Sequence, residues 1–429
     1  MTGQRPRLLL VASRRWLHTV HLALAAHRAG FAVGLLAPAG HPVASLDWVT
    51  PVGTHTVLRP ERSVARALEA YRPALVVPVD DEAAAAAFDV YGRRGAGTQT
   101  RETLARSFGD PATFGTRVSR GAFAALAAEH GIAVAPTVAV RDVDHLDALV
   151  APGSGPVVLK SDGSFGGMGV AVVGDAATAR RAFEALRRTQ PLARSVARLV
   201  RDDDGTFLRT SLARTRPEIT LQPYVSGHPS TVTVACWRGE VLAEVAVRAV
   251  VTRGEKGPST VVEQVREPAM SEAARRSVAA LGASGLCGLD FLLTPSGEAV
   301  LLELNARATP TAHLPALGGE GLLSALARQV GGRGEDPAGA RPVRDVVALY
   351  PQERLRDPRS AYVGTDAEDL PRDAAVVLAL CERLIATPMP SLPRRVLRRW
   401  DARGRRVGAD LGESGRIRQA GLPGPDVRP

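Results

Sequence analysis

Two carboxylates and an amide interrupt a run of leucine and valine residues late in this 429-residue chain. Asp290 lies in the first apolar segment, and Glu303 and Asn305 lie in the second, beyond the turn residues 295–298. We predict a β-hairpin, in which Asp290 and Glu303 face the same side and Glu303 shares a face with Asn305, two residues on. Burying unpaired carboxylates is costly, and oxygen groups on one face suit Mg²⁺. Salt-bridged acids on an amphipathic strand are the alternative.

A lysine followed by glycines forms a second candidate site. Residues 157–160 are predicted to form a strand that ends in Lys160, the segment 163–169 contains four glycines, and a second strand resumes at 170–173. Glycines let backbone N–H groups approach phosphate oxygens, and lysine adds a compact positive charge. Of the 54 basic residues only Lys160 and Lys256 are lysines, which favours a selected role for Lys160. A plain glycine-rich hairpin is the alternative, and the segment lacks the Gly-Lys-Ser/Thr ending of a P-loop.

Residues 1–115 alternate short apolar runs with helical patterns, which indicates an α/β domain with a parallel sheet. No G-x-G-x-x-G follows the first strand, so a dinucleotide site is not supported there. The predicted strands are 8–12, 31–37, 54–58 and 74–79, and the predicted helices are 17–29, 61–71 and an alanine-rich helix opened by Asp80-Asp81-Glu82.

Residues 116–335 follow a different pattern, typical of an α+β domain with antiparallel strands. It begins with a predicted helix at 117–130 and a predicted strand at 132–140, and helical, arginine-rich sequence fills 175–215. Residues 331–342 have the composition of a linker, and we assign 336–429 to a C-terminal extension with a mobile tail. The predicted fold class is therefore α/β plus α+β.

Composition excludes several classes of protein. The net charge is +10, but the arginines are spread along the chain, which favours a solvated basic surface over a nucleic-acid site. No apolar run approaches the roughly 20 residues of a membrane span, so no membrane partner is expected. The three cysteines form no C-x-x-C pair, which disfavours disulfides and a cysteine zinc site. We expect a cytoplasmic protein.

Taken in order, these segments resemble the ATP-grasp superfamily of carboxylate–amine (or –thiol) ligases, from about residue 1 to 335. The most specific element is D-F-x(11)-E-x-N-x-R, which begins at Asp290 and ends at Arg307. The resemblance implies an α/β domain ahead of a two-subdomain ATP-grasp fold. It also implies an ATP- and Mg²⁺-dependent enzyme, with Mn²⁺ as the alternative metal, that joins a small carboxylate to an amine and releases ADP. Many relatives are homodimers, so a homodimer is one expectation.

The resemblance assigns a role to each candidate residue. Lys160 contacts the ATP phosphates, Arg307 steadies an acyl phosphate, and Arg120 stands where relatives often carry a phosphate-binding lysine. The cover over the phosphates comprises Ser164, Gly166, Gly167 and Gly169, the adenine site Gln222, Tyr224 and Val225, and the metal site Asp290, Glu303 and Asn305. Gln222 replaces a common glutamate, and His228-Pro229-Ser230 stands where many relatives have a ribose-binding glutamate.

Two other activities remain open on the sequence. Bicarbonate is the phosphorylated acid in the carbamoyl-phosphate synthase and biotin carboxylase branch, although no glutaminase or biotinyl segment is visible. A non-catalytic ATP-binding module is the third reading, and the complete acidic set argues against it.

Histidines and acids of the first domain are weaker candidates. Asp80–Glu82 are interpreted as ordinary helix-start acids, with a contact to the substrate as the alternative. His18 and His21 share a helix face, but with no third ligand visible a zinc site is disfavoured. His313, just past Arg307, is assigned equally to an acceptor contact and to a structural role.

Overall fold

The structure is a computed structural model that describes residues 5–150, 155–162, 169–202, 205, 207–214, 216–254, 257–332 and 345–386. Most of the predicted linker and the tail beyond 386 lie outside these ranges. Within them, no helix combines the length and apolar character needed to cross a bilayer.

A four-stranded parallel sheet forms the N-terminal domain, as predicted from the alternation of strands and helices. The strand order is β3-β2-β1-β4, and the middle strands are apolar after the exposed Arg7 because helices cover both faces. Leu8 and Leu10 belong to the core on one face, and Leu9 and Val11 to the core on the other. The strands are β1 (Arg7–Val11), β2 (Ala32–Ala37), β3 (Val49–Thr54) and β4 (Leu75–Pro78), and the helices are α1 (Thr19–Arg28), α2 (Pro60–Tyr71), α3 (Asp81–Gly92) and α4 (Thr98–Phe108).

A smaller antiparallel sheet lies in the next segment, after α5 (Phe114–Val118) and α6 (Arg120–Glu129). Its strand order is β5-β8-β6-β7, and α7 and α8 pack on it around Leu146, Leu159 and Phe183. The strands are β5 (Val138–Ala139), β6 (Val157–Ser161), β7 (Val170–Val173) and β8 (Ile219–Pro223), and the helices are α7 (Val143–Leu149), α8 (Ala176–Arg187), α9 (Leu192–Asp202) and α10 (Leu208–Ala213).

A six-stranded antiparallel sheet of order β13-β12-β9-β10-β11-β14 forms the largest unit. Helices α6 and α11 cover one face, and the other face shares its core with α12 and the N-terminal domain. The strands are β9 (His228–Trp237), β10 (Glu240–Thr252), β11 (Ser259–Gln264), β12 (Gly285–Leu293), β13 (Ala299–Asn305) and β14 (Val346–Ala348), and the helices are α11 (Pro268–Ala280), α12 (Leu322–Gln329), α13 (Gln352–Arg356) and α14 (Ala375–Ala386).

Three predicted elements differ from the structure. The strand predicted at 54–58 lies earlier, at β3, where Pro51 is tolerated because β3 is a sheet edge. The helix predicted at 117–130 is split at Ser119, whose extended backbone and side chain cap α6. The strand predicted at 132–140 pairs regularly only as β5. Upstream of β5, Val134 makes an isolated bridge to Leu301 of β13, so this segment passes from one sheet to the other.

Candidate functional site

The acidic hairpin formed by β12 and β13 places its polar groups opposite one another. Asp290 is the register partner of Glu303, and a bulge follows immediately, before Phe291 pairs with Leu301. The two carboxylates therefore face each other across adjacent strands, as predicted from their spacing. Thr231 Oγ1 on β9 donates to Asp290 Oδ1 at 2.7 Å, and Asn305 Nδ2 donates to Asp290 Oδ2 at 2.9 Å.

Arg120, the first residue of α6, connects the two antiparallel sheets. Its Nε donates to Glu303 Oε2 at 2.9 Å on the large sheet. Its NH1 donates to Ser161 O at 2.7 Å and to Asp162 Oδ1 at 3.2 Å at the end of β6 in the small sheet. Ser119 Oγ accepts from Ala122 N at 3.2 Å and fixes the start of this helix. The planar guanidinium suits this three-way contact better than an ammonium group would.

Lys160 lies at the same junction, near the end of β6, and is 8% exposed. Burial lowers the pKa of its ammonium group, and the negative charges of Glu303 and Asp290 oppose that shift. Arg120 donates both to Glu303 and to the carbonyl oxygen of Ser161, the residue after Lys160, so this end of β6 lies beside the acids of the large sheet. Two stretches that are remote in sequence thus converge on one polar centre.

The two acids respond differently to this environment. Burial, and then repulsion from Glu303, raises the pKa of Asp290 to about 6. Burial also opposes ionisation of Glu303, but the charges of Arg120 and Lys160 outweigh it and hold the pKa of Glu303 below its usual range. A divalent cation between the two carboxylates would relieve the repulsion that raises the pKa of Asp290.

The donor set of Asp290, Glu303 and Asn305 fits a hard divalent cation, because it offers two carboxylates and an amide oxygen and no nitrogen or sulfur ligand. In the structure the Asn305 amide oxygen accepts from Arg307 NH2 at 3.0 Å, while its nitrogen faces Asp290. A half-turn of the Asn305 side-chain amide would present its oxygen to the acids.

Arg307 joins the polar centre to the N-terminal domain. Its Nε donates to Asp81 Oδ1 at 2.8 Å, at the first turn of α3. The neighbouring Asp80 caps α3 through Ala83 N, as its position predicted, and also accepts from Ser13 N and Trp16 Nε1. The sequence favoured a helix-start role for Asp81 over a contact with the substrate and gave no sign of Arg307, because that contact depends on how two domains pack.

The residues assigned to adenine follow the end of β8. Gln222 is buried and opposite Val158, whereas Tyr224 is 47% exposed and donates its backbone N–H to Pro156 O at 3.0 Å. Val225 is half-buried. Of the assigned phosphate cover, Ser164, Gly166 and Gly167 lie outside the described residues. Gly169 is described, and its carbonyl accepts from Ser161 N at 2.8 Å.

Sequence reasoning missed several polar groups beside this centre. Asp162, at the end of β6, accepts from Arg120, and Thr231, on β9, donates to Asp290. On the N-terminal side, burial and the charge of Arg307 lower the pKa of His18 to about 3. Such contacts between segments leave no local signal in the sequence.

Comparison with known proteins matches the middle of the chain to a known family. Residues 119–314 match the family model described as the ATP-binding domain of the carbamoyl-phosphate synthase L chain. This range runs from the cap of α6 to the loop after β13 and contains the whole polar centre. Over residues 119–314 this match confirms the ATP-grasp resemblance that the motifs predicted. No curated protein gives a significant match to the sequence.

Solved structures with the same fold come from enzymes of several kinds. Carboxyaminoimidazole ribonucleotide synthase from Aspergillus clavatus, complexed with ATP, is 16% identical, with 79% of this chain and 80% of that chain covered and a TM-score of 0.54. The biotin carboxylase domain of 2-oxoglutarate carboxylase from Hydrogenobacter thermophilus is 13% identical. The match covers 78% of this chain and 72% of that chain, with a TM-score of 0.53. L-amino acid ligase from Bacillus licheniformis is 14% identical. The match covers 76% of this chain and 75% of that chain, with a TM-score of 0.50. At these identities the likeness establishes the fold.

Proposed function

We propose that this protein is an ATP-dependent carboxylate–amine ligase that forms an amide or peptide bond through an acyl phosphate and releases ADP. The observation that carries the proposal is the convergence of Lys160, Arg120 and the acidic hairpin at the junction of the two antiparallel sheets. Cations next to paired acids suit a metal-bound triphosphate, since the metal shares its shell with phosphate oxygens.

The reaction has two steps. A carboxylate oxygen of the first substrate attacks the γ-phosphorus of ATP, the bond to the β-phosphate oxygen breaks, and ADP leaves. The amine nitrogen then attacks the acyl carbon, the carbon–oxygen bond to phosphate breaks, and phosphate leaves while the nitrogen loses a proton. Asp290, Glu303 and Asn305 would hold Mg²⁺, or Mn²⁺ in its place, which neutralises phosphate charge when bound.

The chain's own residues position and neutralise the reacting groups. Lys160 and Arg120 would hold ATP phosphates, and the buried setting of Lys160 strengthens its electrostatic interactions. Arg307, held by Asp81 and Asn305, would steady the acyl phosphate. Gln222, Tyr224 and Val225 would line the adenine, with residues 164–169 over the phosphates.

The test is ADP release measured across a panel of small carboxylates and amines. We expect release that requires both an acid and Mg²⁺, and amide formation only when an amine is also present. The Glu303→Gln variant should keep its fold and lose acid-dependent ADP release. Glu298→Gln, on the exposed turn of the same hairpin, is the matched control and should behave as wild type. Release at the wild-type rate in Glu303→Gln would refute the metal assignment.

Bicarbonate is the second candidate for the phosphorylated acid. The match of residues 119–314 to the carbamoyl-phosphate synthase domain favours it. ADP release that depends on bicarbonate and needs no organic acid would select this activity over the amide ligase. ATP binding without turnover for every acid tested would instead indicate a binding module.

A further inference from the structure

A second polar cluster lies away from the acidic hairpin and brings together three segments that are distant in sequence. It consists of His21 on α1, His313 in the loop after β13, and Asp369 in the segment after α13. One ligand atom from each residue lies within 4.8 Å of the other two. The three side chains are 2%, 7% and 3% exposed, respectively, so the cluster is enclosed by protein.

The separation between His21 and Asp369 is that of two donors around one ion, whereas His313 and Asp369 are in direct contact and must move apart to bind an ion together. His21 Nδ1 lies 3.6 Å from Asp369 Oδ2, and His313 Nε2 contacts the same oxygen. Two ligands of a tetrahedral zinc ion, each about 2.0–2.1 Å from the metal, are about 3.4 Å apart. The separation between His21 and Asp369 exceeds a hydrogen bond but matches that distance. The two imidazole rings stack with centroids 4.4 Å apart and an angle of 23° between planes.

The chemistry of the donors selects a class of cation. Two imidazole nitrogens and one carboxylate oxygen are a common ligand set for Zn²⁺ and neighbouring divalent transition metals. Mg²⁺ prefers oxygen ligands, as in the set of Asp290, Glu303 and Asn305. The two clusters therefore differ in the metal they favour, and their occupation can be measured separately.

Each ligand is held by the fold. The Asp369 backbone N–H donates to Ala348 O of β14, the edge strand of the large sheet. His313 lies between two tight turns, closed by Ala312 N to Thr309 O and by Leu314 N to Thr311 O. His21 is on the buried face of α1, which packs against α12. The site is thus largely preformed, which lowers the entropic cost of binding an ion.

We propose that His21, His313 and Asp369 bind one Zn²⁺-class divalent cation that fastens the N-terminal domain to the large sheet and to the segment after α13. A dication offsets the charge of the buried Asp369 carboxylate, and three protein ligands leave the fourth position of a tetrahedral ion to a non-protein ligand such as water. The sequence paired His21 with His18 and offered no third ligand; the fold supplies His313 and Asp369 instead.

The test is zinc stoichiometry in full-length protein purified without a histidine tag, stripped with a chelator and measured without nucleotide. After incubation with ZnCl₂ and desalting, elemental analysis should find one zinc per chain. Zinc should also raise the thermal unfolding temperature, and chelator should reverse the rise. Zinc binding should weaken by about 100-fold or more in each single variant: His21→Gln, His313→Gln and Asp369→Asn. Changing a residue that only hydrogen-bonds to a metal ligand typically weakens binding by about 10–100-fold, so the larger loss identifies the ligands themselves.

Two controls separate this site from other zinc contacts. His130→Gln removes an exposed histidine and should leave the stoichiometry at one. Glu303→Gln alters the acidic hairpin and should also keep one zinc, so failure of the ligase proposal and failure of this one are distinguishable. No retained zinc in the wild type, or equal zinc in all three ligand variants, would overturn the proposal and leave a hydrogen-bonded His313–Asp369 pair.

Discussion

Arg307 and Asp81 form an ion pair between two domains, with Arg307 Nε donating to Asp81 Oδ1 at 2.8 Å across 226 positions of sequence. Asp81 begins α3 in the N-terminal domain, and Arg307 follows the acidic hairpin of the large sheet. The same guanidinium donates to Asn305 Oδ1. The N-terminal domain therefore sets the orientation of a cation that the proposed reaction needs.

Asp81→Asn tests this positioning role. The amide keeps the side-chain shape but removes the charge that orients Arg307, so we expect acid-dependent ADP release to fall about 10-fold, the effect of about 1.4 kcal/mol. The free energy of unfolding should change by less than about 1 kcal/mol, because Asp81 is 56% exposed and exposed ion pairs contribute little. Urea denaturation and a steady-state assay measure the two quantities.

The matched control is Asp89→Asn, which removes an exposed acid from the same helix. It should leave the rate of ADP release unchanged. If Asp81→Asn and Asp89→Asn have equal, wild-type rates, Asp81 has no positioning role.

Arg120→Lys tests why an arginine is present at the start of α6. A lysine keeps the charge but cannot donate in three directions to Glu303, Ser161 O and Asp162. We expect the KM for ATP to rise about 10-fold, a loss of about 1.4 kcal/mol of binding, and the fold to persist. Arg106→Lys, an exposed change on α4, is the control and should not alter KM. An unchanged KM in Arg120→Lys would separate this residue from nucleotide binding.

The sequence predicts those parts of the site that depend only on residues close together in the chain. Asp290 and Glu303 face each other across the hairpin. Side chains alternate between the two faces of a strand, so a shift of the pairing by one residue would move the apolar side chains out of the core. Lys160 likewise lies near the end of a strand whose apolar run is visible in the sequence. Both inferences need only a few neighbouring residues, and both strands formed where they were predicted.

The remaining contacts depend on how distant elements pack. Nothing near Asp81 signals that Arg307 will reach it, and nothing near His21 signals His313 or Asp369. The segment at 132–140 shows the same limit. Its β-type composition predicts one strand, but the chain passes between two sheets and pairs with each only briefly, through Val134 and β5.

His41 predicts a pH dependence of stability. Burial, and then the charge of Arg15, lowers the pKa of His41 to about 4, and its Nδ1 accepts from Val43 N at 3.2 Å, which requires the neutral ring. The unfolded chain binds the proton near pH 6.5, so between about pH 6.5 and 4 the unfolded state carries more protons. Stability is therefore present above pH 6.5 and is lost as the pH falls. This group contributes about 2 kcal/mol of loss between pH 7 and 5.

His41→Asn should reduce that loss, since asparagine can accept the same backbone hydrogen bond without titrating. Urea denaturation at the two pH values gives the difference, and His130→Asn, at an exposed position, should follow the wild-type curve. Equal losses in His41→Asn and wild type would show that His41 titrates alike in both states.

Gly288→Ala tests the packing behind the acidic hairpin. Gly288 is paired with Asn305, and a methyl group there would clash with the side chain of Thr309. Thr309 bonds to Thr233 and Thr311 in a buried hydroxyl cluster and has little room to move. We expect a loss of about 1–3 kcal/mol in the free energy of unfolding, measured by urea denaturation.

Gly115→Ala is the control: it lies in α5 with open space around it, so alanine should leave stability unchanged or raise it by up to about 1 kcal/mol. Similar changes in the free energy of unfolding of the two variants would mean that the loop at Thr309 moves and accommodates the added methyl group.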